Sequence, residues 1–134
     1  MSNTAIALAL ETALVAASGS ITTAWENVDF APPDAGYQVA SILFAEPDNP
    51  TLGPAFFRQR GMMQVQLRYP LGTGKQAAVT RAEALRAAFN RGLTFAASGI
   101  TVVIERTPEI ATGYSDDNRF IVNVRVRFFA NIGA

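Results

Sequence analysis

Ala55–Phe89 reads AFFRQRGMMQVQLRYPLGTGKQAAVTRAEALRAAF, and the period of its apolar residues changes partway along. Up to Tyr69 the apolar positions alternate. Phe57, Met63, Val65, Leu67 and Tyr69 fall on one side of an extended chain, and Arg58, Arg60, Gln64, Gln66 and Arg68 on the other. That pattern predicts an antiparallel strand with one face covered and one open. Beyond Gln76, Ala78, Ala82, Leu85 and Phe89 recur at helical intervals. They predict a helix from about Gln76 to Arg91 that lies against a sheet and stops at Gly92.

The corner between strand and helix contains Gly72-Thr73-Gly74-Lys75, which looks like the end of a phosphate-binding P-loop. That motif needs a glycine five positions before the Gly-Lys pair and a Ser or Thr directly after the lysine. Tyr69 and Gln76 occupy those positions, so the hydroxyl that binds magnesium is missing. The glycines turn a corner, and the free N–H groups at the helix start offer at most a place for a stray anion.

The alternation returns from Asn118 to Ala130. Phe120, Val122, Val124, Val126 and Phe128 point one way, and Arg119, Asn123, Arg125 and Arg127 the other, with Ile121 and Phe129 as apolar exceptions. YQVASILFAE (37–46) and ITVVIERTP (100–108) read as shorter strands, the second ending at Pro108. PDNPTLGP (47–54) and EIATGYSDD (109–117) read as exposed, flexible loops. Pro32, Pro33 and Gly36 rule out a continuous helix or central strand between Ile21 and Gly36. At the N-terminus Ile6, Leu10, Ala13, Leu14 and Ala17 form a helical stripe, with Ser2, Asn3 or Thr4 as cap and Gly19 as stop. The order is helix, strands, helix, strands. The economical solution is α+β: one mainly antiparallel sheet with two helices packed on one face, as a single domain over residues 1–134.

Composition narrows function by exclusion. Eleven basic and eleven acidic residues cancel, so no overall field draws the chain to nucleic acid or to an anionic membrane. With neither Cys nor His, the chain has no disulfide, no Ser-His-Asp or Cys-His catalysis and no ordinary zinc site. Glu11 and the lack of a positive n-region argue against a signal peptide, and no window reaches the roughly 20 apolar residues of a membrane span. The expectation is a soluble protein made inside the cell, without cofactor, metal, small-molecule substrate or enzymatic activity.

Three candidate sites remain. Asp48-Asn49 suggests a calcium loop but lacks the ligand ladder. The carboxylate pairs Asp116–Asp117 and Glu105–Glu109 have nothing to separate an acid from a base. The third is the set Arg58, Arg60, Arg68, Arg119, Arg125 and Arg127, which share one sheet face if the two long strands belong to the same sheet. That face is a solvated surface, a docking face for another subunit, or a phosphate-tracking surface. Single-strand binders interleave aromatic platforms with their charges, and here only Phe56 and Phe129 are available.

From residue 20 to 92 the sequence resembles the phage tail terminator-like family. The resemblance rests on Trp25-Glu26-Asn27 leading to Phe30 and Pro32-Pro33, on Thr51–Gly53, and on Gly61 followed by MQVQLRYP, which ends at Pro70. Gly72 and Gly74 before the Ala-rich helix complete it. The last third matches in strand character alone. The resemblance implies a small α+β subunit of the virion tail, made in the host cytoplasm, that closes a ring of six on the tail tube. It implies contacts with its own copies, the tail tube protein and a head–tail connector, and no catalytic residue. A different head–tail adaptor or minor tail protein is the alternative reading, and a nucleic-acid module on the arginine face the next.

Overall fold

The two alternating segments pair with each other along their full length. The structure, a computed structural model, describes residues 2–18, 21–26, 28–33, 35–50, 52, 55–72, 74–116 and 118–133. Its elements are α1 (Ser2–Ser18), β1 (Thr22–Ala24), β2 (Tyr37–Phe44), β3 (Phe57–Pro70) and α2 (Gln76–Ala88). They continue with β4 (Thr94–Ala97), β5 (Ile100–Ile104), β6 (Glu109–Ile110), β7 (Tyr114–Asp116) and β8 (Arg119–Ile132). β3 and β8 run antiparallel from Phe57 opposite Ile132 to Pro70 opposite Arg119.

Around that pair the order is β1-β2-β3-β8-β5-β4, in a curled, largely antiparallel sheet. The exception is β1, which runs parallel to β2. Three short strands share the other side of β8: β5 at its C-terminal end, β6 in its middle and β7 at its start.

Both helices lie on the face that carries the apolar half of the alternation. Ile6, Leu10 and Leu14 of α1 and Ala78, Ala82 and Leu85 of α2, with Phe89 just beyond it, join Met63, Val65, Leu67, Val122, Val124, Val126 and Phe128 in one core. Each large side chain fully removed from water there contributes about 1.5–3 kcal/mol. Two buried amides hold the sheet's margins. Gln38 donates through Nε2 to Thr23 Oγ1 at 2.8 Å, tying β1 to β2, and Gln59 donates to the carbonyls of Ala45 and Arg60.

Several boundaries differ from the sequence reading. α2 ends at Ala88, because Phe89 leaves helical geometry while its N–H still bonds Leu85 O; the stop is Gly92, at φ +91°. Helix α1 already includes Ser2, so Asn3 and Thr4 lie in its first turn and do not precede it as caps, while Gly19 is outside the described residues. The 100–108 segment is a strand only to Ile104. The 109–117 segment is not simply a loop: β6 and β7 pair there with β8, whose backbone offers bonds over more length than β5 uses. β4 pairs with β5 through a two-residue turn at Ser98 (φ 51°) and Gly99 (φ 79°), the signature of a primed hairpin turn.

Candidate assembly surface

The register decides where the arginines go. Val65 lies opposite Val124, so the odd positions of β3 share a face with the even positions of β8, and the complementary sets share the other face. Arg58, Arg60, Arg68, Arg119, Arg125 and Arg127 therefore all lie on the sheet face away from the helices.

That face is less open than alternation alone implies. Tyr37, Ile121 and Asn123 belong to it and are buried. Phe30 packs on Tyr37 with ring centroids 5.2 Å apart, and the Arg68 and Arg119 guanidinium groups sit 5.9 and 5.0 Å from the Tyr37 ring centroid. Arg119 also donates to the carbonyls of Pro33 and Ala35, pinning both residues at the end of the sheet. Arg68 donates to Gln66 Oε1 at 2.6 Å. The physical reason is that a proline-rich segment without its own ladder supplies carbonyls, and long arginines reach them.

Toward the other end the arginines meet the chain's own carboxylates. Arg60 lies between Asp48 and Glu105, with its Nη1 2.6 Å from Glu105 Oε2. The hydrogen bond to Asp48, with the Glu105 charge, raises the already high pKa of Arg60. Arg125 sits 3.5 Å from Glu109 and donates to Gln64. Glu109 lies opposite Arg125 in the β6–β8 register, while Glu105 follows β5. Asp48, Glu105 and Glu109, raised above as calcium or acid/base candidates, are thus counter-charges for arginines. Asp116 faces Arg119 across β7–β8, and Asp117 is outside the described residues. Arg58 donates to Asn131 Oδ1 at 2.8 Å and stacks on Phe129 at 4.6 Å. Arg127 has Met62 Sδ at 3.6 Å, a weak acceptor.

The motif residues serve the frame. Trp25 packs against the core. The Glu26 carboxylate accepts the Ile42 N–H on the free edge of β2, beyond the end of β1, doing there what a neighbouring strand's carbonyl would do. Pro70 closes β3 opposite Arg119. Gly61 is on the core face, where a Cβ would lie 2.6 Å from both Leu43 O and Phe128 Cζ. Gly72 and Gly74 take φ of +83° and +77°, a corner that L side chains resist. Pro32 is exposed; Asn27, Thr51 and Gly53 are outside the described residues. Beside the glycine corner a cleft of about 730 Å³ is lined by Lys75, Val79, Thr112, Ser115 and Phe120 among others. Among the described residues no cluster of acidic side chains has metal-binding geometry, and no helix is long and apolar enough to cross a membrane.

Sequence reasoning missed Tyr37 and Arg106. Tyr37 opens a strand whose parity follows only once the β2–β3 register is known, and Arg106 lies in an irregular segment with no period to place it.

Known proteins bear on this arrangement in two ways. The family model described as phage tail terminator protein matches residues 5–128. A solved structure shares the fold, with a TM-score of 0.78 at 24% identity over 93% of this chain and 92% of its own. At that identity the likeness speaks for the fold alone. No curated protein matches the chain significantly.

Proposed function

The chain belongs to the phage tail terminator family, and from that premise we propose that it ends tail-tube growth by closing a ring on the tube. The observation that carries this reading is the family match over nearly the whole chain, which takes in both long strands and both helices. The ring has six copies, meets the tail tube protein on one side, and presents the head–tail connector with a joining surface on the other. The protein is made in the host cytoplasm and ends as part of the virion tail, with no chemistry of its own.

The arginine face supports this reading over nucleic-acid binding. A phosphate backbone would have to displace Asp48 and Glu105 from Arg60, and Glu109 from Arg125. It would also find no row of exposed aromatic platforms between the charges. A protein partner needs no such displacement, because it can meet the face through its apolar side chains and through Arg127, which holds no carboxylate among the described residues.

The test is electron microscopy of tubes grown with and without the protein. Tubes of limited length with ring density at one end are expected. Tubes of unregulated length with bare ends, formed by tube protein that still binds the purified chain, would instead make it a minor tail or adaptor protein.

A further inference from the structure

We propose that the outward side of α1 in one copy docks onto a shelf formed by Leu43, Met62, Arg106 and Arg127 of the next copy. This inference rests on the ring reading and names the contact that links its subunits.

The first observation is that α1 carries exposed apolar side chains on its outer side. Among its seventeen residues, SNTAIALALETALVAAS, Glu11 is the one charged side chain. Here Ile6, Leu10 and Leu14 are fully buried against the sheet, yet Leu8 and Val15 are 51% and 59% exposed. Thr4, Leu8, Glu11 and Val15 are spaced by four, three and four residues, so they form one stripe on the side away from the core. Glu11 sits in that stripe, and among the described residues no cation pairs with it. Burial, and secondarily the Glu26 charge, raise its pKa above the ordinary carboxylate range.

The second observation is a complementary surface on the opposite side of the sheet. The register places Leu43, Met62 and Arg127 in one row across β2, β3 and β8, on the arginine face. Leu43 is 53% exposed, and the row borders a hollow of about 480 Å³ that Arg106 also lines. Arg60 and Arg125 hold carboxylates of their own. Among the described residues, Arg106 and Arg127 do not. The shelf is thus two apolar side chains beside two guanidinium groups that hold no carboxylate, in a hollow that the Arg60–Glu105 pair also lines.

The two surfaces match in chemistry and spacing. With Leu8 over Leu43 and Met62, Glu11 follows about 4.5 Å along the helix axis. Arg127 is one strand beyond Met62, about 4.8 Å across the sheet. This is the helix-in-groove mode, anchored at i and i+3. Because α1 covers one face of the sheet and the shelf lies on the other, the contact joins unlike patches. It is head-to-tail and closes wherever the rotation between neighbours closes.

The sequence contains no cysteine, so introduced thiols report the contact directly. Leu8→Cys and Leu43→Cys are purified separately, checked for unchanged melting, then oxidised alone and mixed at high concentration and on tube ends. The mixture is expected to cross-link at least about fivefold faster than either variant alone, and a chain carrying both thiols to give a ladder ending in a closed ring. Glu11→Arg or Arg127→Glu singly should weaken association at least about tenfold, and the two together should restore it to within about threefold. Rings without mixed cross-links, or charge reversals that fail to compensate, would overturn this contact and leave the ring reading intact. Absence of any assembly, in solution or on tubes, would overturn both.

Discussion

Gly61→Ala tests how tightly the sheet is packed beside the Phe44–Phe128 pair. Gly61 lies in the interior of β3, opposite Phe128 and on the core side. A Cβ there would lie 2.6 Å from the Leu43 carbonyl oxygen and 2.6 Å from Phe128 Cζ, well inside contact distance. Neither neighbour yields easily. The Leu43 oxygen belongs to the β2–β3 ladder, and Phe128 is fully buried and meets Phe44 edge-on at 6.2 Å. Overpacking of this kind costs about 1–3 kcal/mol. The lower chain entropy of unfolded alanine offsets about 0.4–1 kcal/mol. The expected net loss is about 2 kcal/mol, since two rigid neighbours place the site near the upper end of the range. For a chain of this size that is a fall in Tm of roughly 6–10 °C. The assay is a thermal melt of Gly61→Ala, Phe128→Leu and the double variant. Leucine removes the ring atom that the new methyl meets, so the double variant should be more stable than the sum of the singles by about 1 kcal/mol. A Gly61→Ala protein that melts at or above the parent, or strict additivity in the cycle, would refute the packing argument.

Four further outcomes are expected. Phe89→Ala, at a fully buried ring 5.4 Å from Phe95, should cost about 3–5 kcal/mol. Arg125→Ala, whose partner Glu109 is largely exposed, should change monomer stability by about 0.5 kcal/mol or less; chemical denaturation of both variants checks the order. The protein should neither bind nor hydrolyse ATP, and calorimetry showing micromolar ATP binding that Lys75→Ala abolishes would overturn the reading of the glycine corner. Because the folded pKa of Glu11 is raised, the native state binds more proton than the unfolded state near and above pH 4.5, and stability falls as pH rises through that window. Glu11→Gln should therefore raise Tm modestly at pH 7 and little or not at all at pH 4. An equal shift at both values would remove the charge argument.

How much of this was legible depended on whether a segment carries its own period. β3, β8 and the inner side of α2 have long, regular patterns, and the structure keeps every face assignment made for them, because one misplaced residue would turn the whole apolar set into water. β6 and β7 have two and three residues and no period; they are strands only because β8 extends past β5 and offers unpaired backbone. β4 carries a two-residue hairpin signal, Ser98-Gly99 between TFAA and ITVVI, but alanine's weak strand preference blurs the strand that the turn opens from.

The arginine face shows a second limit. Alternation put all six arginines on one side, but it could not say what each one meets, because their partners come from irregular segments. Asp48, Glu105, Pro33 and Ala35 reach the face through loop geometry with no repeat to betray it. That distinction separates the arginines functionally. Those with loop partners fasten the subunit to itself and should tolerate removal of an assembly partner without change. Arg106 and Arg127 have no carboxylate of their own among the described residues, so their charge is free to be answered from outside. The one charged residue of α1 is a carboxylate, also without a cation among the described residues. An acid on one side of the subunit and bases without carboxylates of their own on the other would answer each other across the head-to-tail contact proposed above.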